Sequence, residues 1–95
     1  MSVRIIIDRK LRRGKEKDFA ALLRKLRSKA IFSEGYISGE VLRARDDPQN
    51  YIVITAWQSV ADWEKYEKVP DTSKVHARIE KLMVRPTKVK ICLHA

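Results

Sequence analysis

The sequence predicts an α+β fold whose elements run β-α-β-β-α-β. Two observations carry this expectation. Hydrophobic patterns of period two and period 3.6 alternate along the chain, and a polar turn segment, not a helix, separates the second strand from the third. With 95 residues, 44% hydrophobic and 35% charged, the composition suits one soluble globular domain spanning residues 1–95.

Val3, Ile5, Ile7 and Leu11 share one face of a first strand, and Arg4, Ile6, Asp8 and Lys10 share the other. Gly14 ends that run. From Lys15 to about Ile31, Phe19, Leu22, Leu23, Leu26 and Ala30 recur at helical spacing, leaving Lys17, Arg24 and Ser28 on the solvated side. Ser33-Glu34-Gly35 supplies a turn, and Tyr36 to about Ala44 reads as a second strand in which Gly39 marks a bulge or a close backbone approach. Asp46, Asp47 and Pro48 form the turn into a third strand, Tyr51 to Trp57, whose β-branched and aromatic content places it inside the sheet. Ser59 and Asp62 resemble a capping box for a short helix carrying Val60, Trp63 and Tyr66. Pro70 interrupts it, Asp71-Thr72-Ser73 recaps it, and Val75, Ile79, Leu82 and Met83 continue at helical spacing until Pro86. Val89, Ile91 and Leu93 then alternate with Lys88, Lys90 and Cys92 as a last strand.

Right-handed crossovers place both helical regions on one face of a four-stranded antiparallel sheet, a ferredoxin-like arrangement. The other face receives no cover from its own chain. Apolar residues on both faces of the first and third strands, Ile6 besides Ile5 and Ile7 and Val53 besides Ile52 and Ile54, would sit poorly in water, and a domain this small buries only about 60 to 65% of its unfolded surface. Packing of two such sheets in a homodimer answers both points.

The chain carries 21 basic and 12 acidic residues, and eleven of the basic but three of the acidic ones lie in residues 1–31. Such a basic surface attracts anions or nucleic acid. Stacking of bases on a sheet needs exposed aromatics, however, and the first strand has none while the third has Tyr51 and Trp57 only at its ends. Nucleic acid is therefore not the expected partner. No apolar stretch suits a membrane span or a leader, and the single Cys92 can form no internal disulfide, so a cytoplasmic location is expected. A glycine-rich phosphate loop, zinc-type Cys/His spacing and a nucleophile elbow are all missing from the sequence.

Gly35-Tyr36-Ile37-Ser38-Gly39-Glu40, Asp46-Asp47-Pro48, and the stretch Tyr51 to Trp57 followed by Gln58-Ser59 and an acidic helix resemble the antibiotic biosynthesis monooxygenase domains. The likeness spans nearly the whole chain. It implies a dimeric α+β barrel with a cleft in each subunit between sheet and helices, where some members oxidise aromatic or quinol substrates with molecular oxygen and no cofactor. Others degrade haem. That branch is matched at one position of three: His76 stands where its haem-ligating histidine falls, Tyr66 occupies the place of its tryptophan, and Ile5, Ile6 and Ile7 fill the strand where it has asparagine. The resemblance thus implies chemistry without a cofactor, with haem binding as the alternative and no metal otherwise.

His76 and Tyr66 are the candidate catalytic residues, with Trp63, Trp57, Ile7 and Met83 as candidate lining of the cleft. A neutral imidazole at His76 can take a proton from a phenol or ligate iron; its plainer role is a surface contact with Glu80 one turn away. Tyr66 can pack or donate to a bound carbonyl, and both tryptophans can serve purely as core anchors. Three readings follow: a small oxygenase acting on an aromatic or quinol, a non-catalytic dimer that binds an apolar ligand or haem, and a nucleic-acid binder.

Overall fold

In the computed structural model, which describes residues 2–95, the elements are β1 (Val3–Lys10), α1 (Glu16–Ile31), β2 (Tyr36–Arg43), β3 (Asn50–Trp57), α2 (Val60–Lys68), α3 (Pro70–Glu80) and β4 (Lys88–Leu93). All strand pairs are antiparallel, and the order across the sheet is β2-β3-β1-β4. The expected ferredoxin-like α+β architecture is therefore present.

Strict alternation on β1 buries Val3, Ile5, Ile7 and Arg9, and Leu11 beyond the strand end is buried as well. Register carries the same face onto Tyr51, Val53, Thr55 and Trp57 of β3 and onto Tyr36, Gly39 and Val41 of β2. Phe19, Leu22, Leu26 and Ala30 of α1, Tyr66 of α2, and Val75 and Ile79 of α3 close over it to make one core. The opposite face holds Ile6, Ile52, Ile54 and Leu42, with no helix among the described residues packed on them, while Val53 turns inward to the core because it pairs with Ile7.

Ser59 caps α2 by accepting a hydrogen bond from the Asp62 N–H at 3.1 Å. The second helical region is two helices, and its junction differs from the expected one. Pro70 opens α3 at a position where its missing N–H costs nothing, and extended Val69 stands before it without any side-chain cap. Thr72 is buried and Ser73 donates its hydroxyl back to the Glu67 carbonyl at 2.9 Å, so the recapping by Asp71-Thr72-Ser73 does not occur. Asn50 belongs to β3, where its amide donates to Asp8 (2.7 Å) and to the Arg9 carbonyl (3.1 Å). The bulge lies between Tyr36 and Ser38, next to Gly39. On β4, Val89, Ile91 and Leu93 pair with Ile7, Ile5 and Val3 and so face the helical side, yet they stay exposed because this edge strand lies beyond the helices.

Gly35 turns the chain from α1 into β2 with φ +83°, and a Cβ there would overlap the Asp62 carboxylate. No helix among the described residues is long and apolar enough to cross a membrane. Because Ile5 is fully buried, Ile5→Ala is expected to lower stability by about 2–5 kcal/mol in urea unfolding. Ser59→Ala, which removes one helix cap, is expected to cost about 1 kcal/mol in the same measurement. A negligible effect of the first substitution would contradict the inward assignment of this β1 face.

Candidate active site

A cavity of about 430 Å³ lies between the sheet and the helices, a volume suited to a small organic molecule. Its floor is Ile7 and Arg9 of β1, Val53, Thr55 and Trp57 of β3, and Tyr36 and Gly39 of β2. Leu23, Leu26 and Ala30 of α1 form one wall; Trp63, Tyr66 and Glu67 of α2 and His76 of α3 form the other.

Aromatic rings run in series along this floor. Trp57, 1% exposed, meets Tyr36 edge-on at 5.3 Å and Tyr66 at 5.0 Å, and its indole N–H donates to Thr55 Oγ1 at 3.1 Å. Tyr66 in turn stands edge-on to His76, 6.5 Å between ring centroids. Its hydroxyl donates to the Leu26 carbonyl at 3.3 Å. Burial pushes the Tyr66 phenol well above its ordinary pKa, and the nearby Glu67 carboxylate adds to this, while Arg9 opposes it. Tyr66 is thus a neutral donor at physiological pH and no base. Gly39 matters through what it lacks: a Cβ would lie 2.8 Å from the Tyr36 hydroxyl and 3.3 Å from Thr55 Cγ2, so the phenol of Tyr36 can lie across the bare backbone.

Three polar side chains meet at the inner end. His76 Nε2 lies 2.6 Å from Glu67 Oε2, an ion-pair distance without good hydrogen-bond alignment, and Nδ1 lies 3.4 Å from Arg9 Nη2. A guanidinium only donates, so a hydrogen bond to Arg9 assigns the lone pair to Nδ1 and the N–H to Nε2, on the side of Glu67. This resembles the carboxylate-imidazole half of a hydrolase triad in logic: a carboxylate orients the ring and can offset charge that forms on it. Arg9 is 2% exposed. Burial draws its pKa below the ordinary value, and Glu80, Glu67 and Tyr66 work in the opposite direction; arginine remains protonated at neutral pH all the same.

The structure brings Ile7, Trp57, Trp63, Tyr66 and His76 together on one cavity. It leaves Met83 out: that side chain is buried beyond α3, where residue 83 forms an isolated bridge with Leu11. Nor does His76 pair with Glu80, whose carboxylate instead accepts from the Thr87 N–H at 3.3 Å. Glu67 takes that place from the neighbouring helix. The sequence reading missed Arg9, although the alternation Val3, Ile5, Ile7, Arg9, Leu11 was the signal for it. Glu67 had no such signal, since it meets His76 only through the angle between α2 and α3.

The chain matches the antibiotic biosynthesis monooxygenase family over residues 2–78 and belongs to that family. No curated protein matches it. Its fold is shared by a conserved protein from Methanosarcina mazei Go1, with a TM-score of 0.90 and 14% identity over 96% of this chain and 90% of that one. Rv0793 from Mycobacterium tuberculosis is similar at a TM-score of 0.89 and 17% identity, covering 100% and 96%. SnoaB, a cofactor-independent oxygenase from Streptomyces nogalater, superposes at 0.88 with 14% identity, covering 99% and 93%.

The raised pKa of Tyr66 has a consequence at alkaline pH. Above about pH 10 an unfolded tyrosine releases its proton while folded Tyr66 retains it, so the folded state binds more protons and loses stability as pH rises. Ultraviolet titration is expected to show one of the three tyrosines ionising only upon unfolding. In Tyr66→Phe that late-titrating group should vanish and stability should fall less steeply with alkali.

Proposed function

We propose that the protein is a homodimeric monooxygenase that acts without a cofactor on an electron-rich phenol or quinol held between sheet and helices. The observation that carries this reading is the Glu67–His76 pair on the lining of an aromatic-walled cavity, with His76 Nδ1 3.4 Å from Arg9. Family membership and the fold shared with a cofactor-independent oxygenase support the reaction class.

A substrate hydroxyl takes the place of Arg9 at Nδ1, a contact long enough at 3.4 Å to be exchanged. His76 accepts the phenolic proton, Glu67 offsets the charge on the imidazolium, and Arg9 offsets the charge on the phenolate oxygen. The phenolate is electron-rich enough to reduce oxygen directly. For a quinol, one oxygen atom enters a ring carbon and the other leaves as water, giving a hydroxyquinone; the substrate supplies all four electrons, so no external reductant is needed. Trp57, Trp63, Leu23 and Val53 keep water from the reacting ring. Tyr66, protonated throughout, can turn its hydroxyl from the Leu26 carbonyl to a substrate carbonyl.

The haem alternative finds a poor donor set. His76 Nε2 faces the Glu67 carboxylate at 2.6 Å, and β1 presents the apolar Ile5 and Ile7 on the buried face. A nucleic-acid role finds no support in the placement of aromatics: Tyr36, Tyr51 and Trp57 all face the helices, and Tyr51 packs edge-on against Phe19. The uncovered sheet face, with Ile6, Ile52, Ile54 and Leu42, supports the homodimer instead.

Oxygen uptake with a panel of hydroquinones is expected in the wild type and is expected to fall on the order of 10²-fold in His76→Ala. Equal rates for wild type, variant and blank would remove the oxygenase reading. Adding haem should produce no Soret shift that depends on His76. The dimer predicts a thermal midpoint that climbs with protein concentration; a folded monomer at high dilution with an unchanged midpoint would contradict it.

A further inference from the structure

Arg9 is a charged side chain in a place that rarely tolerates one. It points from a central strand into the cavity, and no carboxylate among the described residues comes within ion-pairing distance of it. Its one side-chain contact is the 3.4 Å donation to His76, and its Nε has no partner at all. The carboxylates nearest in effect are otherwise committed, Glu67 to His76 and Glu80 to the Thr87 N–H. A buried guanidinium with unfilled donors is unfavourable unless an oxyanion completes it.

The same cavity is bordered by two more cations. Arg24 and Arg27 line it from α1, adjacent on one helix face, exposed, and with no acidic partner among the described residues. Trp57 and Trp63 line the same cavity, and Glu40 of β2 borders it as well.

We propose that the ligand of this cavity is an aromatic acid, its carboxylate held by the Arg9 guanidinium and its entry path flanked by Arg24 and Arg27. A guanidinium fork matches a carboxylate in two parallel hydrogen bonds, which a lysine or a neutral amide cannot reproduce. The exposed pair adds attraction over distance and quickens association at low salt. The inference deepens the oxygenase reading by naming its substrate class, and it rests on that reading only for what happens after the ligand is bound.

The test is a fluorescence titration, read from Trp57 and Trp63, with a hydroxynaphthoate and the matching hydroxynaphthamide. The acid is expected to bind about tenfold or more tightly than the amide. Arg9→Gln should bring the two within about twofold, and the Arg24→Gln/Arg27→Gln double variant should weaken the acid at low salt and much less at high salt. Equal affinity of acid and amide in the wild type, or an acid preference that survives Arg9→Gln, overturns the proposal. Should Arg9→Gln fail to fold by circular dichroism, Arg9→Lys is read in its place: it keeps the charge and loses the fork, so an unchanged preference overturns the proposal and a several-fold drop supports it. Oxygen uptake separates the two readings. Acid bound tightly but never oxidised sinks the oxygenase alone, whereas neutral quinols oxidised with no preference for acids sink this inference alone.

Discussion

β1 lies between β3 and β4, so both of its edges are paired and its side chains must divide between two faces. On one face the division is apolar for three successive positions, Val3, Ile5 and Ile7, and that stripe is what the helices close upon. Period two does not stop when the apolar residues do. The next inward position is Arg9, carried under the helices by the same pleat that buries its neighbours. A one-residue slip of register would return Arg9 to water only by exposing the whole stripe, a far larger loss. The polar end of the cavity is therefore a by-product of the packing that makes the sheet stable.

The helices complete the arrangement from a different direction. The N–H of Val69 bonds to the Tyr66 carbonyl to finish α2, and Pro70 starts α3 on a new axis. Had the helix continued straight, residues nine apart would stand about two and a half turns from one another along one cylinder. The break lets Glu67 and His76 meet side by side. Ser73 ties the corner by reaching back to the Glu67 carbonyl.

Much of this was legible in the sequence, and the reasons differ by element. Strand and helix positions followed from periodicity because each element has one face inside and one outside, and the aromatic positions Trp57, Trp63 and Tyr66 followed because large rings at those spacings have nowhere else to go. Arg9 runs against the expectation that basic residues take the solvated side, because the pleat carries it inward. Met83 was placed on the cavity by helical spacing, but α3 ends at Glu80 and the chain turns away before residue 83. The pairing of Glu67 with His76 depends on an interhelix angle set by tertiary packing, which no local pattern encodes. On β4, alternation located the strand yet gave no warning that Leu93, 70% exposed, lies past the reach of the helices.

Gly39 gives the floor of the cavity a property of its own. Its hydrogen sits where any other residue would place a carbon against the Tyr36 hydroxyl and the Thr55 methyl. The clearance above this strand is thus set by one missing methyl group, with Tyr36 as the pointer that would register its return. Any side chain at position 39 would press on the Tyr36 ring and reshape the cavity floor, while Arg9, Glu67 and His76 stand on other elements.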